Sequence, residues 1–270
     1  MKKFKGFGLC VFFLLLLALP TASFAYDTSP SSLRFIPEAI WAPATGGGTW
    51  TTDLDVYVRA GTNPTELRIW FFAADGAHGP FNMTSEPNLQ HCIRYINILA
   101  FIDSWDASTY EYYGKVGTIW IEAVDTSDKF QIQARTKHSG GYGKTMNAQS
   151  YYTLGDSAYF STWRGMMIQG ITNDTTYRTT IGLFNSAGSS ITVQVALIRY
   201  DDVWSGWENI TLGSGGYLAF NPYTRWSVAS TAVHRIWINP VSGTGRCHSF
   251  GATVNNTTND PAAHIAVQYD

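Results

Sequence analysis

The chain has 270 residues, 45% of them hydrophobic and 15% aromatic, enough for more than one packed core. Its formal charge is −2, from 18 basic and 20 acidic side chains. No basic stripe stands out for a phosphate backbone to meet, so the composition excludes nucleic acid as a partner class.

Lys2, Lys3 and Lys5 open the chain, an apolar run follows from Phe7 to Leu19, and Pro20 breaks it ahead of Ser23, Phe24 and Ala25. This is the pattern of a secretory signal peptide over residues 1–25, cleaved after Ala25. The run is well short of the roughly twenty residues that cross a bilayer, and no later stretch approaches that length, so no membrane span is expected after cleavage. No cysteine follows the signal to carry a lipid, and Cys10 leaves with it. Loss of the three lysines leaves 15 basic residues against 20 acidic ones. The short lysine-rich start has a bacterial look, so the sequons at Asn82, Asn173, Asn209, Asn255 and Asn256 read as turn-rich surface loops. The expected location is secreted, extracellular or cell-surface, with the periplasm as an alternative.

Residues 26–33 read as a linker, and two β-rich repeats follow at 34–155 and 156–270. TWTTDLDVYV, from Thr49 to Val58, matches TYRTTIGLFN, from Thr176 to Asn185. Leu67, Ile69, Phe71, Phe72 and Asp75 then fall opposite Val193, Val195, Leu197, Ile198 and Asp201. Ile119, Trp120, Ile121 and Val124 recur as Ile236, Trp237, Ile238 and Val241. Three collinear blocks point to an internal duplication, because chance alternation in strand-forming residues does not keep order and spacing. The seam is expected near Tyr151 to Tyr159.

Alternation with a period of two dominates the blocks: Ile191, Val193, Val195 and Leu197 share one face, Thr192 and Gln194 the other. Glycine-rich turns such as Gly46 to Gly48, Asp75-Gly76, Gly140-Gly141 and the Gly213 to Gly216 segment separate the runs, and no long stretch has helical periodicity. Many short strands at this spacing predict an all-β chain of two antiparallel β-sandwiches. Trp70, Trp120 and Trp237 fall inside predicted strands, where core packing is their simplest reading.

Several short elements carry a resemblance: Phe35-Ile36-Pro37, Ala42-Pro43, Thr49 to Leu54, Arg135-Thr136 with Gly141-Tyr142-Gly143, and Val254 to Pro261. On these the chain resembles a loosely defined, mostly uncharacterised group of secreted bacterial proteins built from tandem immunoglobulin-like β-sandwiches. The second repeat departs from the pattern with Met167-Ile168-Gln169 in place of the Ile-Pro opening. The resemblance implies an immunoglobulin-like fold and an exported location, and brings no catalytic residues or activity with it.

His138 to Thr145 comes close to a phosphate-cradling loop, but His138 stands where glycine is needed and no helix pattern follows, so a Gly-rich strand connection is the better reading. There is no nucleophile elbow and no helical zinc motif, and the six histidines are scattered; no cofactor, metal ligand set or catalytic residue is assigned. Asp53 with Asp55, Asp103 with Asp106, and Asp201 with Asp202 form carboxylate pairs that turn formation and solvation explain more simply than glycoside hydrolysis. Cys92 and Cys247 would pair across the repeats in an oxidising exterior if their Cα atoms came within about 7 Å, the alternative being two unpaired thiols.

The candidate ligand-binding residues are Trp105, Tyr110, Tyr112 and Tyr113 in the first repeat, and Trp204 and Trp207 around Gly206 in the second. Both sets fall in expected connections, where recognition residues concentrate, and exposed rings stack on sugars or anchor proteins. The plainer alternative is that they pack beneath loops as satellite clusters. The reading is a non-enzymatic secreted or surface protein recognising carbohydrate or another surface protein. The alternatives are an exported hydrolase with an unrecognised carboxylate or Ser/His site, and a structural subunit of a surface assembly. Nothing in the sequence fixes an oligomeric state.

Overall fold

The computed structural model describes residues 33–44, 47–58, 66–84, 92–106, 108–125, 130–141, 143–147, 149–150, 165–229, 233–258, 261–265 and 267–269. The expected signal peptide, nearly all of the linker and the seam between repeats lie outside these residues. The described elements of the first repeat are β1 (Leu33–Pro43), β2 (Thr49–Val58), β3 (Glu66–Ala73), β4 (Gly76–Thr84), β5 (Cys92–Tyr95), α1 (Ile98–Trp105), β6 (Lys115–Ala123), β7 (Phe130–His138), β8 (Gly143–Asn147) and β9 (Gln149–Ser150). Those of the second are β10 (Gly165–Ile171), β11 (Tyr177–Asn185), β12 (Ile191–Arg199), β13 (Trp204–Leu212), β14 (Tyr217–Phe220), α2 (Pro222–Arg225), β15 (His234–Gly243), β16 (Cys247–Asn255), β17 (Pro261–Ile265) and β18 (Val267–Tyr269). The chain is all-β; among the described residues every ladder is antiparallel and short helices follow only β5 and β14.

Two sets of strands repeat one pairing scheme. In the first set, β4-β3-β6-β1 form one leaf and β2-β7-β8 the other, with β5 on β2 and β9 on β1. In the second, β13-β12-β15-β10-β18 face β14-β11-β16-β17. The registers run in the order in which the sequence blocks align: Ile36 pairs with Ile119 and Ile69 with Ile121, as Ile168 pairs with Ile236 and Val195 with Ile238. Even the bulge recurs, between Ile36 and Ala39 in β1 and between Ile168 and Ile171 in β10.

Alternation makes the cores. Ile69, Phe71, Ile119 and Ile121 meet Leu54, Val56 and Ile132 in the first unit; Val193, Val195, Leu197 and Ile236 meet Ile181 and Leu183 in the second. A buried threonine pair sits at the same place in each: Thr52 and Thr136 share a hydrogen bond of 3.1 Å, Thr179 and Thr253 one of 3.0 Å. Each pair also ties down the bulged strand. The Thr52 hydroxyl accepts from the Ile40 N–H, and the Thr179 hydroxyl donates to the Thr172 carbonyl. A buried polar backbone group next to a bulge loses its ladder partner, and these hydroxyls replace it.

The units differ at the corner. The end of β1 runs on to pair Trp41, Ala42 and Pro43 with β2, joining the first unit's leaves into one sheet. β10 stops at Ile171, and the second unit's leaves stay separate. Short α1 is capped by Asn97, whose side chain accepts from the Ala100 N–H and whose φ of 50° places it in the left-handed region. Eight residues are too few to show a helical period against a β-rich background, so the sequence did not announce it.

The units meet through rings. Phe35, Phe72 and Trp120 on the outer face of β1, β3 and β6 approach Phe184, Tyr217 and Phe250 on the second unit's β11, β14 and β16. Phe72 and Phe184 lie 5.0 Å apart, and Phe35 lies 4.3 Å from the His248 ring. Of the two alternatives for the cysteines, the structure has Cys247 as a free, buried thiol. Alternation along β16 turns Cys247 into the second unit's own core, while His248 and Phe250 face the junction. Backbone pairing places Cys92 opposite Tyr57 in the first unit and Cys247 opposite Asn185 in the second. Burial pushes the Cys247 thiol up to about 12.

His248 is fully enclosed at the junction. Its Nε2 shares a 2.6 Å hydrogen bond with Ser186, its Nδ1 has no partner, and burial holds its pKa down to about 3. Between pH 6.5 and that value the unfolded chain binds a proton that the folded chain refuses, so stability falls as pH falls, by up to about 1.4 kcal/mol per pH unit. Thermal unfolding from pH 7.5 to 4.5 is therefore expected to show a steadily falling midpoint. His248→Gln removes the titrating group and is expected to flatten that slope; an unchanged slope would refute the assignment.

Candidate functional site

The inward residues of the second unit's β12, β13 and β15 make its core, so their alternate residues form an outer face. The ladders set that face in rows. Ala196 pairs with Trp207 on one side and Trp237 on the other, and Trp237 pairs in turn with Met167. The next row towards the sandwich end is Asn209, Gln194 and Asn239, and the one beyond it is Thr211, Thr192 and Ser242. In the opposite direction, towards the β12–β13 turn, Ile198 pairs with Trp204 and Arg235.

Two of the rings are exposed, and Trp237 is partly buried with its indole nitrogen enclosed. Trp207 is 56% exposed and Trp204 49%, whereas Ala196 is fully buried beneath its neighbours. Trp204 meets Trp237 edge-on at 5.7 Å. Trp237 reaches across to β10, where a Cβ on Gly165 would lie 2.8 Å from the indole nitrogen. No hydrogen bond to a described residue occupies the side-chain amides of Asn209, Gln194 or Asn239, so each offers a free acceptor and free donors. Thr192 and Thr211 hold each other at 2.8 Å.

The charges around the face are paired. Arg225 donates two hydrogen bonds of 2.6 Å to Glu208, which also accepts from the Trp226 indole at 3.1 Å. The Arg225 hydrogen bonds, acting against burial, hold the Glu208 carboxyl below its usual range. Arg199 is paired with Asp201, and Arg235 with Asp202, at the turn between β12 and β13. Among the described residues, the three central rows hold no titratable group.

Trp204 and Trp207 lie not in the expected loop but on β13, an edge strand. Trp237 lies not in the core but on the outer face: Ile236 and Ile238 point inward, so the residue between them cannot. That signal was in the sequence, as were the amides at every second position. Asn209, read as a loop sequon, also lies on β13.

The first unit's aromatic set does not converge on a ligand surface. Tyr112 is completely buried, against the expectation of an exposed ring, and donates to Asp106 at 2.7 Å. Burial, then the Asp106 carboxylate, push its hydroxyl far above its ordinary range. Tyr110 stacks on His78 at 3.5 Å and donates to Asp75, which also accepts from Lys115. Trp105 ends α1 against Phe101, and Tyr113 lies edge-on to Trp41; these two alone of the set are exposed. Tyr112 belongs to the first unit's own core and Tyr110 packs against it.

The carboxylate pairs are engaged with their own neighbourhoods. Asp53 is nearly buried, accepting from the Asn97 N–H and paired with Lys137. Asp55 is held by Arg94, whose hydrogen bonds lower its pKa. The His138 to Thr145 segment ends β7 at His138, turns over 139–141 and opens β8 at Gly143. A cleft of about 180 Å³ also opens between the units, lined by Glu38, Trp50, Thr136, Arg178 and Thr180 with apolar neighbours. Among the described residues no cluster of three or more His, Cys, Asp or Glu side chains is placed to hold a metal.

No family model matches the chain, and no curated protein matches it. Among solved structures it is similar to one titled "Pleurotus Ostreatus Lectin (POL), apo form", at 9% identity and a TM-score of 0.21, over 90% of this chain and 83% of that one. A likeness this slight bears on neither fold nor function.

Gly206, between the two tryptophans, leaves the space that Trp226 fills: a Cβ there would sit 2.7 Å from the Trp226 side chain. Gly206→Ala is expected to cost about 1–3 kcal/mol in chemical denaturation, through overpacking. Gly213→Ala has open space around it and is expected to stay within about 0.5 kcal/mol of the parent.

Proposed function

We propose that this chain is a non-enzymatic recognition protein that binds carbohydrate on the outer face of its second unit. Trp207, Trp237 and Trp204 stack on sugar rings, and Asn209, Gln194 and Asn239 bond their hydroxyls. In this reading the scaffold is a tandem of immunoglobulin-like sandwiches, exported by the amino-terminal signal to the cell surface or beyond.

One observation carries the reading. The first unit's matching outer face, with Trp120 where the second has Trp237, is covered by the second unit's leaf, while the second unit's face leaves Trp204 and Trp207 about half exposed. A sheet face set with large rings is normally packed, and one left exposed beside unpaired amides suits a ligand with both apolar faces and hydroxyl edges. The central rows lack charge, so the ligand is neutral. A protein leaf is the second reading, because a protein leaf is what covers the matching face in the first unit. Another copy of this chain fits less well: its free leaf, on β2 and β7, presents Asp55 with Arg94, and Gln131, Gln133 and Arg135. The tied carboxylate pairs weigh against hydrolysis.

The test is a glycan array probed with residues 26–270, followed by calorimetry on the sugars that bind. Trp207→Ala and Trp237→Ala are each expected to weaken binding by roughly three- to tenfold, and Tyr177→Ala, on the other leaf, to leave it unchanged. A folded chain that binds no glycan, or binds equally well without these rings, would sink the proposal.

A further inference from the structure

The row geometry goes further than a sugar-binding face, and the following step rests on that reading. We propose that the ligand is a flat, linear polysaccharide laid across the strands, from β13 over β12 to β15, with at least two sugar rings engaged at once. Trp207 and Trp237 both pair with Ala196, one strand to either side of it. Neighbouring strands lie about 4.8 Å apart, so the two tryptophans are carried on backbones about 10 Å apart, the span of two pyranose rings joined end to end. Between them stands the small Ala196, where the first unit's aligned residue is Trp70, and the Trp204 ring meets the Trp237 ring beside it. Met167, paired with Trp237, continues the apolar row onto β10.

The flanks match the edges of such a chain. Asn209, Gln194 and Asn239 run parallel to the ring row, two residues and so about 7 Å along the strands, on one side. On the other side Arg235 sits beside Asp202. A chain whose hydroxyls are all equatorial lies with its C–H faces on the rings and its hydroxyls directed at both flanks. A helical or branched chain cannot lie flat on both tryptophans, and a single sugar reaches only one. The ligand class is therefore a neutral, β-linked, unbranched hexose polymer.

The experiment is a length series. The chain, residues 26–270, is titrated with cello-oligosaccharides from glucose upward and with malto-oligosaccharides of the same lengths. Affinity is expected to rise at least tenfold from one ring to three and then level, in the cello series only. Trp207→Ala and Trp237→Ala should each abolish that gain, so that long and short sugars bind alike. Binding without length dependence, or a preference for the malto series, would overturn the linear-chain proposal while leaving sugar recognition standing. If neither series binds but an array glycan does, this ligand class is wrong; if no glycan binds, both readings fail together.

Discussion

The contact on which the rest of the architecture depends is the set of rings between the units. A sheet whose two faces are both apolar cannot stand against water on either side, and the first unit's β3-β6-β1 leaf is such a sheet: Ile69, Phe71, Ile119 and Ile121 on one face, Phe35, Phe72 and Trp120 on the other. The second unit's Phe184, Tyr217 and Phe250 cover that second face. Aromatic side chains bury about 150–250 Å² each, so losing the cover would expose several rings at once. It would also open His248, whose neutral, half-satisfied ring is tolerable only where no proton reaches it. The units therefore share one layered interior.

Within each unit the bulge and its threonine pair set the path of the first strand. A bulge leaves a backbone group without a ladder partner, and a hydroxyl from the opposite leaf is the shortest available substitute. Thr52 and Thr179 supply it at matching positions, which fixes the same strand order around two different fillings. Once the frame is fixed, single positions can diverge without cost to the topology. Trp70 of the first unit aligns with Ala196 of the second, and the second unit carries Trp204 and Trp207 on its edge strand instead. Aromatic surface has moved from β12's place in the leaf to the edge strand, while Trp120 and Trp237 keep the same place in both units.

Much of this was legible in the sequence, since period-two alternation and the three aligned blocks state which residues face inward and in what order strands pair. What misled was assuming that tryptophan in a strand belongs to a core. Trp120 and Trp237 each lie between two inward isoleucines, so alternation places both outside; only the tertiary arrangement says that one is covered and the other is not. Tyr112 failed for the opposite reason. Its segment has no regular period, so nothing local distinguishes a ring tucked against Asp106 from one facing solvent. For the cysteines the sequence left a bridge and two unpaired thiols open, and parity decides for Cys247: beside His248 and Phe250 on β16, its side chain points into its own unit.

The bare face has a cost that argues for a use. Leaving Trp204 and Trp207 about half exposed forgoes roughly 2–3 kcal/mol of burial per ring, at about 25 cal/mol per Å². A solvated outer face in the same fold needs no tryptophan: the threonines and serine one row beyond the amides do that work without apolar exposure. Nor does the local packing require these rings to stand out, because Gly206 and Trp226 already close the inner side of β13. The arrangement lowers the cost of recognition instead. An indole has few rotors, and rings seated on a hydrogen-bonded sheet lose little further freedom when a ligand settles on them. The amides beside them stand on the same rigid rows, so a neutral ligand meets apolar and polar groups already at a fixed spacing, and selectivity follows from which sugars can lie down on that spacing.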